Sequence, residues 1–229
     1  MFTIFSLSQT QQNTINKYRV SCEEDETVGY VWQVDPAGIR KPQKTSLVDH
    51  VGDWESFEYC LDVKNKRIEF FVTHDSYNGA LVRYVPGNKK NNNGRYEELN
   101  WDLLHGDDGI RTFLKLDEFM GTFEWVEDRD DANPSETYPN LEGIDVVDDM
   151  MYFVSKEYRS LYILNLTSHT YTTSSTEDGA FNQEPDQIKW LLPHKDAGGG
   201  DDDNDNNGIL YFCEDGTIGS GLHGRDSTG

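Results

Sequence analysis

Five short acidic motifs recur along the chain: Ser21-Cys22-Glu23-Glu24, Trp54-Glu55-Ser56-Phe57, Pro139-Asn140-Leu141-Glu142-Gly143-Ile144, Glu184-Pro185-Asp186-Gln187-Ile188 and Tyr211-Phe212-Cys213-Glu214-Asp215-Gly216. Each places a carboxylate beside a run of alternating apolar and β-branched residues. Carboxylates delivered repeatedly to strand ends can converge on hard cations, which take oxygen ligands. Without a cation such acids repel one another and raise some of their pKa values. A bound ion removes that penalty and sets the local electrostatics. No histidines cluster with these acids, so the donor set favours Ca²⁺, Mg²⁺ or oxidised iron over zinc. Taken singly, each acid also reads as an ordinary turn or surface residue. Glu23 and Glu24 adjoin Asp25 and Glu26 in a solvated stretch, Asp186 follows a proline, and Glu214-Asp215-Gly216 is a hairpin-turn signal. Glu55, Glu142 and Asp186 are the strongest of the set. Gly143, after Glu142, marks either a close backbone approach to an ion or a β-bulge.

The elements that must position these acids read as short strands. Val28–Val34 alternates and stops at Asp35-Pro36-Ala37-Gly38, while residues 57–63 and 67–73 flank a turn and read as a hairpin. Further strand signals lie at 80–85, 110–116, 121–126, 143–147, 151–155, 160–166, 170–174, 187–192 and 208–213. The one helical candidate, Glu97–His105, is short. Brief strands with regular turn punctuation point to a sandwich, barrel or propeller. Glu55–Val85 and Glu142–Leu166 follow the same plan of acidic lead, aromatic strand and Leu/Tyr strand. Glu142 and Asp186 are 44 residues apart, near the ~40–50-residue period of propeller blades. The expectation is therefore an all-β, β-propeller-like fold. Residues 1–17 form a loose N-terminal lead-in, and residues 18–229 a partial propeller with flexible loops at 87–94 and 198–207.

Composition narrows the function classes. The 229 residues include 42 acids and 20 Lys or Arg, a formal net charge of −22, so a phosphate backbone would be repelled. Nucleic acid is excluded as an expected partner. No stretch reaches the ~20 apolar residues of a membrane span. Cys22, Cys60 and Cys213 include no Cys-x-x-Cys pair, so neither a disulfide framework nor a zinc knuckle is indicated. Asn165-Leu166-Thr167 fits a glycosylation sequon but reads better as a strand end.

The motifs and their order resemble the PhoX-type alkaline phosphatase family. The matching stretches run from Ser21 to Gly229: SCEE, GYVWQVDPAG, WESFEY, FFVTHD, GALVRYVP, PNLEGI, MYFVSK, LYILNL, EPDQI, LYFCEDG and LHGRD. The family's members are β-propeller phosphomonoesterases that use calcium and iron held by carboxylates around the central channel. The resemblance implies that Glu24, Glu55, Glu142, Asp186 and Glu214 are metal ligands, with Asp215 a weaker candidate. Glu24 and Glu55 are implied to be catalytic, and the substrate is implied to be a small phosphorylated molecule. It further implies export, although the chain shows no signal peptide, and an incomplete six-bladed propeller from a truncated or divergent member. Three departures bear on catalysis. Residues 8–20 carry neither the family's metal-binding Cys nor its Gly- and Trp-containing segment; Asn140 stands where the pattern has a phosphate-binding Arg; and Trp54 replaces a His. A guanidinium lost at a phosphate site is not a conservative change. The alternatives are a non-catalytic calcium-binding propeller and an interaction propeller with no metal.

Overall fold

The computed structural model describes residues 2–4, 19–62, 67–87, 101–176, 184–191, 208–215 and 222–226. Sixteen strands account for most of them. A four-stranded sheet holds β1 (Phe2–Ile4), β2 (Arg19–Glu23), β3 (Val31–Val34) and β4 (Gln43–Lys44) in that order. A nine-stranded antiparallel sheet follows. Its first meander is β5 (Trp54–Asp62), β6 (Arg67–His74), β7 (Val82–Val85), β8 (Ile110–Asp117) and β9 (Thr122–Val126). Its second is β10 (Leu141–Val147), β11 (Met150–Ser155), β12 (Ser160–Asn165) and β13 (Thr170–Ser175). A three-stranded sheet contains β14 (Glu184–Leu191), β15 (Ile209–Asp215) and β16 (Leu222–Asp226).

The two meanders join at a narrow seam, where β13 meets β9 through the Thr170–Thr122 pair. Flanking that pair, the Tyr171 N–H donates to the Gly121 carbonyl at 2.9 Å and the Phe123 N–H to the His169 carbonyl at 3.1 Å. At the opposite ends of the sheet, β5 and β10 pack against each other, so the nine strands curl into a nearly closed, barrel-like form. The all-β expectation holds. Six separate blades are not what the described residues form, because the β9–β13 pairing fuses two four- to five-stranded meanders into one continuous sheet.

Alternating side chains distribute the apolar residues over three cores arranged in series. The first, with Cys22, Val31, Trp54, Phe57, Phe70 and Tyr84, lies between the four-stranded sheet and the β5–β8 meander. The second fills the curl of the nine-stranded sheet with Phe71, Leu114, Leu141, Met151 and Phe153. The third, with Val154, Leu161, Ile188, Leu210 and Phe212, joins β11 and β12 to β14 and β15. Strands buried on both faces lose simple alternation, which is why residues 141–146 of β10 are buried without a break.

Several sequence expectations shift in detail. The loose lead-in over 1–17 contributes a strand, Phe2–Ile4, paired with β2, and its other residues lie outside the described ones. The 87–94 loop (Gly87 apart) and the 198–207 loop also lie outside them. The expected 28–34 strand begins only at Val31, because Asp25 binds the Thr27 and Val28 N–H groups in a turn at 2.9 and 3.2 Å. The helical candidate at 97–105 is a short 3₁₀ turn at Trp101–Leu104 where it is described. Asn165 closes a turn, its side-chain oxygen accepting from the Thr167 and Ser168 N–H groups, as a strand end would.

Candidate metal centre

Three edge strands, β5, β10 and β14, each carry the same irregularity. Between Trp54↔His74 and Phe57↔Val72, β5 advances three residues while β6 advances two. Leu141↔Ser155 and Ile144↔Phe153 repeat this on β10 and β11, and Pro185↔Glu214 and Ile188↔Phe212 repeat it on β14 and β15. A bulge re-aims the side chain of the residue that enters it. The first residue inside each bulge is Glu55, Glu142 and Asp186 in turn. One oxygen from each of these carboxylates lies within 4.8 Å of the other two. Two ligands on opposite sides of one Ca²⁺ stand about 5 Å apart, so a single ion of that size can reach all three.

The bulges also hold one another. A Cβ on Gly143 would stand 2.4 Å from the Ile188 backbone nitrogen and 2.8 Å from the Asp186 carbonyl oxygen. The glycine is thus explained by the crossing of β10 over β14, and the bulge reading of Gly143 is the one realised. The Gln187 amide donates to Glu55 Oε1, while Ser56 Oγ donates to Gln187 Oε1 at 2.8 Å. This chain of contacts fixes the Glu55 carboxylate from the neighbouring strand.

The electrostatics match acids gathered together with two of them, Glu55 and Glu142, out of water. Burial, followed by the charges of Glu24, Asp186, Asp75 and Asp53, pushes the Glu55 pKa up to about 8. Burial, with Asp75 and Glu55 next, pushes Glu142 up to about 10. Lys156 opposes that rise: its Nζ lies 3.0 Å from Glu142 Oε1 and 3.9 Å from Asp75 Oδ2. Asp53 is lifted to about 6 by burial, Asp75 and Glu24.

Glu24 forms an isolated bridge with Asp53, which sets its charge beside Glu55 without placing it in the three-carboxylate group. Glu214 is not in a turn, as its hairpin signal implied. It is buried within β15, opposite Pro185, because β15 runs on to Asp215. Asp186 likewise lies inside a strand rather than a turn. Asp215 pairs with Glu184 through its backbone, and its side chain lies outside the described residues. None of the three cysteines is in a disulfide. Cys22 is fully buried, and burial together with Glu55 and Glu24 raises its pKa, so it is a packed thiol.

Four participants were not singled out by their motifs: Asp53, Asp75, Lys156 and Gln187. Asn140 ties two of them together. It sits in left-handed backbone geometry, φ 51°, which asparagine tolerates better than most residues. Its N–H donates to the Ser76 carbonyl at 3.1 Å and its carbonyl accepts from the Lys156 N–H at 2.9 Å. Its side-chain amide donates to Asp75 Oδ1 at 2.9 Å. The available signal was the acidic end of the Phe70–Asp75 stretch, a carboxylate beside an apolar run as in the five motifs.

A second polar layer lies three residues further along the same strands. Glu58 of β5, Asp145 of β10 and Lys189 of β14 stand where Glu55, Glu142 and Asp186 stand in the first layer. Lys189 Nζ is 2.9 Å from Glu58 Oε2 and 2.8 Å from Asp145 Oδ1. Burial works against the lysine charge, but the two carboxylates outweigh it and raise its pKa. In this layer the chain supplies its own cation. In the first layer the third strand supplies another acid.

Comparison with protein-family models and with curated protein sequences finds no match for this chain. Among the described residues, no helix is long and apolar enough to cross a membrane.

Proposed function

We propose that the chain is a cation-binding, β-propeller-like domain related to the PhoX-type phosphatases, in which Glu55, Glu142 and Asp186 hold a Ca²⁺ ion. The observation that carries this reading is the convergence of three buried or half-buried carboxylates within 4.8 Å on three equivalent bulges. The propeller element rests on the serial packing of β2, β5, β10 and β14, each of which bears an acidic motif and the last three of which are edge strands. Radial repetition of meanders is what places such edge strands around a common centre.

All-oxygen donors fit Ca²⁺ and are compatible with ferric iron at a neighbouring position involving Glu24 or Glu214. The activity proposed is hydrolysis of a small phosphomonoester. A bound cation would supply neutralisation of phosphate charge and polarisation of the phosphoryl group. The chain's own part is to hold that ion, to orient Glu55 through Gln187 and Ser56, and to keep bulk water from Glu55 and Glu142. A second reading, a calcium-binding domain without catalysis, is favoured by Asn140. Its amide is turned onto Asp75, at the position where the resembled pattern carries a phosphate-binding Arg.

One experiment separates these readings. The protein is melted with chelator and with CaCl₂, then assayed with p-nitrophenyl phosphate in the presence of Ca²⁺ and iron. A Ca²⁺-dependent rise in Tm, abolished by Glu142→Gln, together with turnover, supports the phosphatase reading. A rise without turnover selects the calcium-binding domain. Identical melting curves with chelator and with Ca²⁺ would overturn both.

A further inference from the structure

We propose that Asn165 is an N-glycan acceptor, modified when the chain passes through a glycosylating secretory compartment. The inference is independent of the cation-site reading above. The acceptor pattern, Asn-x-Ser/Thr with x other than Pro, needs an asparagine amide and a hydroxyl two residues on, in a surface loop. Asn165-Leu166-Thr167 is its one occurrence in the 229 residues. Ending a strand does not use up the groups this chemistry needs. Asn165 is the last residue of β12, and residues 166–169 turn the chain into β13. The Asn165 carbonyl accepts from the His169 N–H at 3.0 Å. Its side-chain oxygen accepts from the Thr167 and Ser168 N–H groups at 3.0 and 2.9 Å. The turn is thus closed on the two oxygens of Asn165, and among the described residues nothing accepts from its Nδ2. Thr167, Ser168, His169 and Thr170 are all exposed, so the amide stands at an open hairpin tip.

Asn133 supplies the contrast. Asn133-Pro134-Ser135 has the asparagine and the hydroxyl at the same spacing, but its middle residue is the excluded proline. Its Nδ2 is also spent, donating to the Glu136 carboxylate. Placement of Asn165 suits a bulky, polar addition. Ser155 pairs with Leu141 at the start of β10, beside Glu142, and with Ser160 at the start of β12. Asn165, five residues on from Ser160, therefore lies about 17 Å along the strand from that end. A glycan there leaves the carboxylate layer uncovered. The step is a group transfer from a polyprenyl-diphosphate-linked oligosaccharide, catalysed by an oligosaccharyltransferase. A bond forms between Asn165 Nδ2 and the anomeric carbon, and that carbon's bond to the diphosphate oxygen breaks. The diphosphate leaves with the electron pair, and one amide proton is released.

The test expresses the full chain behind a cleavable secretion leader in yeast, as wild type, Asn165→Gln, Thr167→Ala and Asn133→Gln. Intact mass is read before and after peptide N-glycosidase on both secreted and cell-associated protein, so a variant held back in the cell still reports. Wild type and Asn133→Gln should carry a glycan, and digestion should return residue 165 of the wild type as aspartate. Asn165→Gln and Thr167→Ala should carry none. Thr167→Ala keeps the backbone N–H that closes the turn, so it separates a lost hydroxyl from a lost fold. A leader-cleaved wild type without a glycan overturns the assignment. So does a glycan that survives Asn165→Gln or Thr167→Ala, or one that is lost in Asn133→Gln.

Discussion

Glu55 and Glu142 are held protonated well above the ordinary carboxylate range, and this makes the cation-free protein sensitive to base. In the unfolded chain each releases its proton near 4.5, whereas in the folded chain Glu55 does so near 8 and Glu142 near 10. A raised folded-state pKa means that their contribution to stability is complete below 4.5 and is lost as pH rises through 8 toward 10. Melting curves in chelator from about pH 5 to pH 9 should therefore show Tm falling with pH, and Glu55→Gln should flatten the slope below pH 8. Added Ca²⁺ should protect most at the alkaline end, where it no longer displaces protons. Asn140 yields a separate prediction. Asn140→Ala forfeits both the left-handed preference and the Asp75 hydrogen bond, about 2 kcal/mol together by urea unfolding. Asn140→Gly keeps the backbone geometry and loses only about 1 kcal/mol, from the missing hydrogen bond.

Strand by strand, the site depends on bulges that meet backbone to backbone. Gly143→Ala drives a methyl group into the Ile188 nitrogen on β14, so it should lower unfolding free energy by about 3 kcal/mol and weaken Ca²⁺ binding with it. Lys189→Met leaves Glu58 and Asp145 facing each other in a buried layer, a loss of about 3–5 kcal/mol in the same measurement. The sequence made the three converging acids readable because Glu55, Glu142 and Asp186 each occur beside an apolar run at similar places in a repeating plan. It signalled one bulge through Gly143 and hid the other two, since one extra residue in a strand leaves the local pattern of apolar residues nearly intact. Glu214 misled because an acid-acid-glycine run says turn, while the strand that buries it is specified by Pro185 and Ile188 across the sheet. Lys156 carries no local signal, and Asp75 only that of an acid ending an apolar stretch. Their role arises from Asn140, which is remote from Asp75 in sequence and is joined to it only by the fold.

At the level of the whole molecule, a net charge of −22 sets a background that any divalent ion will screen. NaCl should raise Tm gradually, with most of the gain by a few hundred millimolar, where the Debye length falls below about 8 Å. A specific site instead saturates, so a Tm increment from Ca²⁺ that persists in that salt and is lost in Glu142→Gln distinguishes the site from screening. The seam between β9 and β13 has its own consequence. The curled sheet has one strong side, where β5 and β10 press together beside the carboxylates, and one side fastened by the Thr122–Thr170 pair and the two amides around it. A curled sheet opens where its clasp is shortest. In hydrogen exchange the Phe123 and Tyr171 amides should therefore exchange before those of β10 and β11, and a cation at the far side should slow the second set while leaving the first unchanged.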